Sequence, residues 1–133
     1  PSFISNTKDA LYIFNDSGVH SQCLSTNPNK EKAIWARKKY FENQPTPFSK
    51  CCVDGESITN PNDVFLIDML TSDESEQMYR FNFLTLNKKN MSRWAEREGF
   101  LSVAQKFVAE NKWKDSSSFK YLEYLINEVE NSH

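Results

Sequence analysis

Glycine is scarce in this sequence, with three residues in 133, and the loops that cradle phosphate groups depend on it. Neither the G-x-G-x-x-G pattern nor a P-loop pattern occurs. Such loops need glycine where the backbone approaches the phosphate closely. The sequence therefore argues against nucleotide-dependent enzymes, and we expect the domain to fold without a cofactor.

Long hydrophobic runs and an excess of positive charge are also absent. The longest uncharged apolar run is "VFLI", much shorter than the roughly 20 residues of a membrane helix, so we expect no membrane insertion. Sixteen basic and eighteen acidic residues give a net charge of −2. A dedicated duplex-binding protein would show a basic footprint, so this class is disfavoured, although a local basic face is compatible with the balance.

Cysteine is rare, and its number is odd. Three cysteines, with no apolar leader-like segment at the start of the sequence, fit a reducing compartment better than a secreted disulfide framework. We therefore expect a cytoplasmic protein. Thirteen Asn and twelve Lys against six Ala suggest an AT-rich coding sequence. For this reason we favour a phage, a mobile element or an AT-rich host as the source.

Aromatic residues, in contrast, are plentiful. The chain is 38% hydrophobic and 14% aromatic, with ten Phe, which is too apolar for a disordered chain. Its length suits one domain with a real core. We predict a single compact domain over residues 1–133.

Hydrophobic patterning predicts an α+β fold. "ALYIF" and "VHSQCLS" flank the turn-forming "NDSG" and predict one β-hairpin; "DVFLIDML" and "MYRFNFLTLN" predict a second. Helical spacing or capping residues predict helices from about Pro28 to Asn43, in "SRWAEREGFLSVAQKFVAENKW" and in "DSSSFKYLEYLINEVENSH". The expected architecture is an antiparallel sheet of about four to five strands with three helices packed mainly on one face.

The second hairpin carries a specific register prediction. A symmetric connection over residues 71–77 pairs Asp68 with Arg80 and places Phe65 opposite Phe83. A carboxylate in an apolar strand must be paired, protonated or functional. We favour the ion pair with Arg80; the alternative makes Asp68 a general base or a metal ligand.

The stretch "SKCCVDGES", residues 49–57, looks most like a chemical site. Adjacent Cys51 and Cys52 point to opposite faces if the segment is a strand, so they cannot easily share a metal ion. Adding His20 and Cys23, which have H-x-x-C spacing, would supply more ligands. We favour instead a short strand "CCV" followed by a "DG" turn, and we predict no metal site.

Catalysis by histidine has one internal candidate, His20, because the second histidine is the terminal residue. Its sequence neighbours do not establish the geometry of a catalytic triad. An enzyme built around His20, Cys51, Cys52 or Asp68 would need at least two of these side chains within hydrogen-bonding reach in a pocket.

The candidate binding surface consists of two stretches, of which the first interleaves basic and aromatic residues and the second is a basic cluster. Basic residues with aromatic rings suit RNA or single-stranded DNA, and Trp, Tyr and Arg are also common at protein interfaces. The alternative is an ordinary solvated helix that docks on the sheet through Ile34, Phe41 and, if it is buried, Trp35. The sequence leaves open whether Trp35 is buried or exposed. The candidate binding residues are Trp35, Arg37, Lys38, Lys39, Tyr40, Lys88, Lys89 and Arg93.

Three functional hypotheses follow. The leading one is a small protein-interaction module, of the inhibitor or immunity type, that binds and blocks another macromolecule. The acidic loop with Asp73, Glu74 and Glu76 could attract a basic partner of such a protein. The alternatives are RNA or single-stranded DNA binding through the basic aromatic helix, and an enzyme of unidentified class.

Overall fold

A computed structural model of the chain describes residues 3–14 and 27–132. These residues form three α-helices, two β-strands and four short 3-10 helices. The main elements, in chain order, are α1 (Lys30–Glu42), β1 (Val64–Ile67), β2 (Leu84–Asn87), α2 (Arg97–Ala109) and α3 (Tyr121–Glu130). The 3-10 helices are Tyr12–Phe14, Pro61–Asp63, Gln77–Phe81 and Lys88–Arg93.

All three predicted helices are confirmed, with bounds shorter than predicted. α2 buries the apolar stripe that its spacing indicated, including Phe100, Leu101 and Ala104. α3 buries Leu122, Leu125 and Val129, which recur at three- and four-residue intervals on one face of a helix.

The predicted sheet of four to five strands is wrong, since the described residues contain one antiparallel sheet of two strands. Phe65 pairs with Leu86, and Ile67 pairs with Leu84. The predicted register, with Phe65 opposite Phe83, is displaced by three residues. Asp68 and Arg80 lie outside both strands, so the predicted cross-strand pair is not formed.

The chain between the two strands has its own hydrogen bonds. Asn82 Oδ1 accepts hydrogen bonds from the backbone N–H groups of Leu70 (2.7 Å) and Thr71 (3.3 Å), while its Nδ2 donates to the carbonyl of Thr71 (2.7 Å). Phe83 has a φ of 59°, a left-handed conformation that interrupts an extended strand. One amide side chain and one backbone reversal thus replace the predicted long ladder.

The first predicted hairpin is wrong in the part that the structure describes. Tyr12–Phe14, within "ALYIF", is a 3-10 helix. The Asp9 side chain favours the turn, because its Oδ1 accepts the backbone N–H of Leu11 at 2.9 Å. The remainder of that predicted hairpin, residues 15–25, lies outside the described residues.

The buried side chains form two clusters. The larger joins the sheet, the 3-10 helix Gln77–Phe81, α2 and α3, and contains Phe81 and Phe100 with ring centroids 5.2 Å apart. The smaller joins the segment near the start of the chain to α1, and its buried members are Phe3, Ile4, Leu11, Ala33, Ala36 and Met69. Of the helices in the described residues, none is long and apolar enough to cross a membrane.

Candidate functional site

α1 contacts the rest of the protein through a narrow face. Its fully buried residues are Ala33 and Ala36, and Trp35 and Tyr40 pack partly against the rest of the fold. Helix-favouring Lys, Glu, Ala and Arg dominate its sequence, with Glu31 in the first turn and Lys39 in the last, as the helix dipole prefers. α1 is therefore a stable helix that leaves most of its circumference in solvent.

The outward face of α1 carries large apolar side chains. Ile34 is 53% exposed and Phe41 is 49% exposed. A separation of seven residues places these two side chains on the same face, two turns apart. Phe48, in the turn after α1, is 81% exposed. Exposed aliphatic and aromatic residues at helical spacing form a surface suited to a partner.

Trp35 is neither in the core nor fully presented. Its ring lies 6.3 Å from Tyr79 at 16° between planes, and 5.6 Å from Phe83 in an edge-on arrangement. These separations fall within the range of attractive aromatic pairs. The residue nevertheless remains 36% exposed, so one side of the indole is held by the fold and the other is accessible.

The basic residues of α1 are held by neighbours on the same helix. The Arg37 guanidinium lies 5.5 Å from the centroid of the Phe41 ring. Lys38 and Lys39 both pair with Glu42, at 3.9 and 3.7 Å. Tyr40 is half-buried, with its ring against Phe41 at 5.4 Å, so it supports this face from behind and is less accessible than predicted.

The second basic stretch lies on the 3-10 helix Lys88–Arg93 and is more strongly paired. Lys89 contacts Asp63 at 3.5 Å. Arg93 contacts Asp54 at 3.4 Å and donates to Asn90 Oδ1 at 2.7 Å. Lys88 is exposed. Carboxylates therefore stand beside two of the three predicted binding cations in this stretch.

Residues 49–57 form the turn that the sequence predicts, but the strand "CCV" is wrong. An antiparallel bridge joins Lys50 to Ser57, and the chain between them turns through Gly55, whose φ is +74°. The Cys52 N–H donates to the carbonyl of Thr85 at 2.9 Å, which fastens the turn to β2.

The Cys51 sulfur is enclosed by N–H donors. It accepts from the backbone of Asn87 (3.2 Å) and of Val53 (3.4 Å), and from Asn90 Nδ2 (3.5 Å). Burial raises the pKa of the Cys51 thiol, but these hydrogen bonds together outweigh it and hold the pKa below its ordinary value. Since Cys51 is 1% exposed, we interpret the thiol as an anchor for the turn and not as a nucleophile.

The neighbouring residues do not complete a catalytic or metal site. Cys52 is exposed, and burial of its sulfur together with the charge of Cys51 raises its pKa. Among residues 3–14 and 27–132, no three His, Cys, Asp or Glu side chains are grouped to hold a metal ion. His20 and Cys23 lie outside the described residues.

Asp68, which follows β1 directly, carries a partly buried carboxylate. Its Oδ1 is buried and has no hydrogen-bond partner there, and burial raises its pKa. The predicted partner, Arg80, instead pairs with Glu96 at 3.2 Å and stacks over Phe81. The backbone N–H of Asp68 donates to the Tyr121 hydroxyl at 3.0 Å, so the phenol orients the backbone while Oδ1 has no partner among the described residues.

A groove that sequence reasoning missed lies between α1 and the loop before Gln77–Phe81. It has a volume of about 320 Å³ and is lined in part by Trp35, Tyr79, Glu31 and Glu74. The acidic loop and the aromatic helix were both recognisable in the sequence. The helix and the loop are about forty residues apart in the sequence, and no sequence pattern indicates that they lie side by side in the fold.

Comparison with known proteins provides no family assignment: the chain matches no family model, no curated protein and no solved structure.

Proposed function

We propose that this protein is an interaction module that binds and blocks another protein, docking through the outward face of α1. We define this α1 face by Ile34, Trp35, Arg37, Lys38 and Phe41. The observation that carries the proposal is the half exposure of Ile34 and Phe41 on one side of a helix whose buried contacts come from two alanines.

The chemistry of the α1 face suits a protein partner. Covering Ile34 and Phe41 would remove apolar area from water, which is favourable by about 25 cal/mol per Å². Trp and Arg are the residue types that most often dominate interface energetics. Arg37 already lies near the Phe41 ring, so part of its conformational entropy is lost before any partner binds.

Nucleic acid is a less suitable partner for the same surface. Phosphate binding relies on cations whose charge is available to the ligand, whereas Lys38 and Lys39 share Glu42 and Arg93 is paired with Asp54. Exposed ion pairs of this kind are weak but reduce the local positive field. Ile34, on the most exposed side of the helix, provides neither a positive charge nor a ring for base stacking.

The test is capture by the tagged full chain from lysate of its source organism or host, with and without nuclease. Ile34→Asp and Phe41→Asp place a charge in the middle of the α1 face. Val108→Asp is the matched control, because Val108 is an equally exposed apolar residue on α2. A captured protein is then purified and titrated against each variant by calorimetry.

We expect a nuclease-resistant protein that binds the wild type and Val108→Asp in a defined stoichiometry. Ile34→Asp and Phe41→Asp should each weaken its binding by at least about tenfold, which corresponds to 1.4 kcal/mol. Capture that disappears with nuclease would replace the proposal by nucleic-acid binding. Binding equally reduced by Val108→Asp, or unaffected by all three substitutions, would overturn the assignment of the surface.

A further inference from the structure

The groove beside the α1 face has walls of two chemical kinds. α1 contributes Glu31 and Trp35, the facing loop contributes Ser72 and Glu74, and the 3-10 helix Gln77–Phe81 contributes Tyr79. Its volume of about 320 Å³ lies at the lower end of the range for small-ligand sites, about 300 to 1,000 Å³. A single side chain or a small organic group is therefore a suitable guest.

Aromatic rings form one wall. The indole of Trp35 and the phenol of Tyr79 are nearly parallel, with 16° between their planes. The face of an aromatic ring carries negative electrostatic potential, and an organic cation within about 6 Å of the ring centroid is attracted to it. Trp35 is also accessible on one side, so a guest can reach its ring.

Carboxylates stand at the other walls. Glu31 and Glu74 are both exposed, and neither forms an ion pair of 4 Å or less within the described part of the chain. The charge of Glu74 contributes to the raised pKa of the Tyr79 phenol, after burial, which places the carboxylate near that ring. Lys32 also lines the groove and helps to lower the pKa of Asp73. The charged side chains that line the groove are therefore two carboxylates and one ammonium group.

We propose that this groove binds the cationic group of an arginine or lysine side chain of the partner protein, held between the Trp35 and Tyr79 rings and the carboxylates of Glu31 and Glu74. This inference rests on the proposed docking role of α1 and specifies what the partner contributes. The partner would cover Ile34 and Phe41 with apolar groups and insert one basic side chain beside Trp35.

The experiment uses small probes, so that it does not depend on capturing a partner. The ¹⁵N-labelled full chain is titrated with Nα-acetyl-arginine methylamide and, separately, with its citrulline analogue. Citrulline has nearly the same shape but no charge. The readout is the indole N–H resonance of Trp35, assigned by its loss in Trp35→Phe. Glu74→Gln removes one carboxylate from the groove, and Glu98→Gln is the control, since Glu98 is an exposed carboxylate on α2.

We expect saturable, millimolar binding of the arginine probe that shifts the Trp35 indole resonance and weakens as salt is added. The citrulline probe should bind at least about fivefold more weakly, because the cation–π attraction is lost. Glu74→Gln should weaken the arginine probe about threefold, as one exposed charge pair allows, and Glu98→Gln should have no effect.

Equal binding of both probes, or no shift of the Trp35 resonance, would overturn the cation site. The docking role of the α1 face would still be tested separately, by the binding of Ile34→Asp and Phe41→Asp to the captured protein. Conversely, a positive probe titration combined with no partner capture would support the groove alone.

Discussion

Asn82 Oδ1 accepts the backbone N–H of Leu70 at 2.7 Å, at a place where sequence patterning predicts the rung of a β-ladder. The same amide also binds both backbone polar groups of Thr71. A side chain therefore satisfies backbone that would otherwise need a neighbouring strand. Asn82 therefore helps to hold the connection between β1 and β2 in place.

Removal of the Asn82 amide is expected to be strongly destabilising. Asn82→Ala leaves the N–H groups of Leu70 and Thr71 and the carbonyl of Thr71 without their partner. We expect this to lower the free energy of unfolding by about 1 to 3 kcal/mol. Urea denaturation followed by circular dichroism measures the change. Asn127→Ala, on the exposed side of α3, is the control and should stay within about 0.5 kcal/mol of wild type. Equal stability of the two variants would contradict the role assigned to Asn82.

The errors in the predicted sheet also arise from tertiary contacts that the local sequence pattern does not show. "MYRFNFLTLN" has a high content of β-favouring aromatic residues, yet its first half forms the 3-10 helix Gln77–Phe81. Tertiary contacts override local preference here, because Met78 and Phe81 enter the main core. Neither the hydrogen bonds of Asn82 nor the positive φ of Phe83 can be inferred from alternation of polar and apolar residues.

The helices could be predicted because their signal is local. Leu122, Leu125 and Val129 recur at helical spacing and are buried, whereas the partners of Trp35 are more than forty residues away along the chain. Trp35 and Arg37 could be chosen as candidate binding residues because basic and aromatic residues alternate in their stretch of sequence. The groove that joins Trp35 to Tyr79 and Glu74 required the tertiary structure.

Asp68 should make stability depend on pH. In the folded protein, burial raises the pKa of the Asp68 carboxyl. The native state therefore holds the carboxyl proton more tightly than the unfolded chain does. The associated stability is fully present below the ordinary aspartate pKa and is lost as pH rises through the higher folded-state value. Asp68→Asn cannot ionise, and we expect it to be more stable than wild type at pH 7 and similar to it at pH 3.

Thermal unfolding between pH 3 and pH 7 tests whether ionisation of Asp68 stabilises or destabilises the folded protein. Asp73→Asn is a control of opposite direction, because hydrogen bonds from Ser75 lower the pKa of Asp73; its carboxylate contributes stability above the ordinary aspartate pKa that is lost as pH falls. A loss of stability in Asp68→Asn at pH 7 would show that the ionised carboxylate is paired after all.

The two adjacent cysteines should differ in reactivity because one is accessible and the other is not, and their pKa values should not decide the order. Cys51 has the lowered pKa but is buried, while Cys52 has the raised pKa and is exposed. In a Cys23→Ser background we expect iodoacetamide to modify one thiol of the native protein and the second only in urea. Peptide mass spectrometry should locate the first label on Cys52. Initial labelling of Cys51 would overturn its role as a buried anchor.

Gly55 allows the turn that carries these cysteines to close. Its φ of +74° disfavours residues with a Cβ, although a Cβ added there would meet no atom within 4 Å. Gly55→Ala should therefore destabilise by about 1 kcal/mol through backbone strain alone. Gly55→Asn should lose less, because asparagine tolerates this conformation. Chemical denaturation of both variants provides the comparison, and equal losses would contradict the assignment of the loss to backbone strain.

The α1 face should contribute little to the stability of the isolated protein. Ile34→Ala and Phe41→Ala remove side chains that are about half exposed. We expect Ile34→Ala to change the free energy of unfolding by no more than about 0.5 kcal/mol, and Phe41→Ala to change it only slightly more because its ring is larger. Leu125→Ala removes a fully buried side chain from the main core and should cost about 2 to 5 kcal/mol. Denaturant titration of the three variants separates a binding surface from a structural one. A loss at Ile34 comparable to that at Leu125 would mean that other parts of the same chain cover this helix, and the proposed docking surface would then not exist.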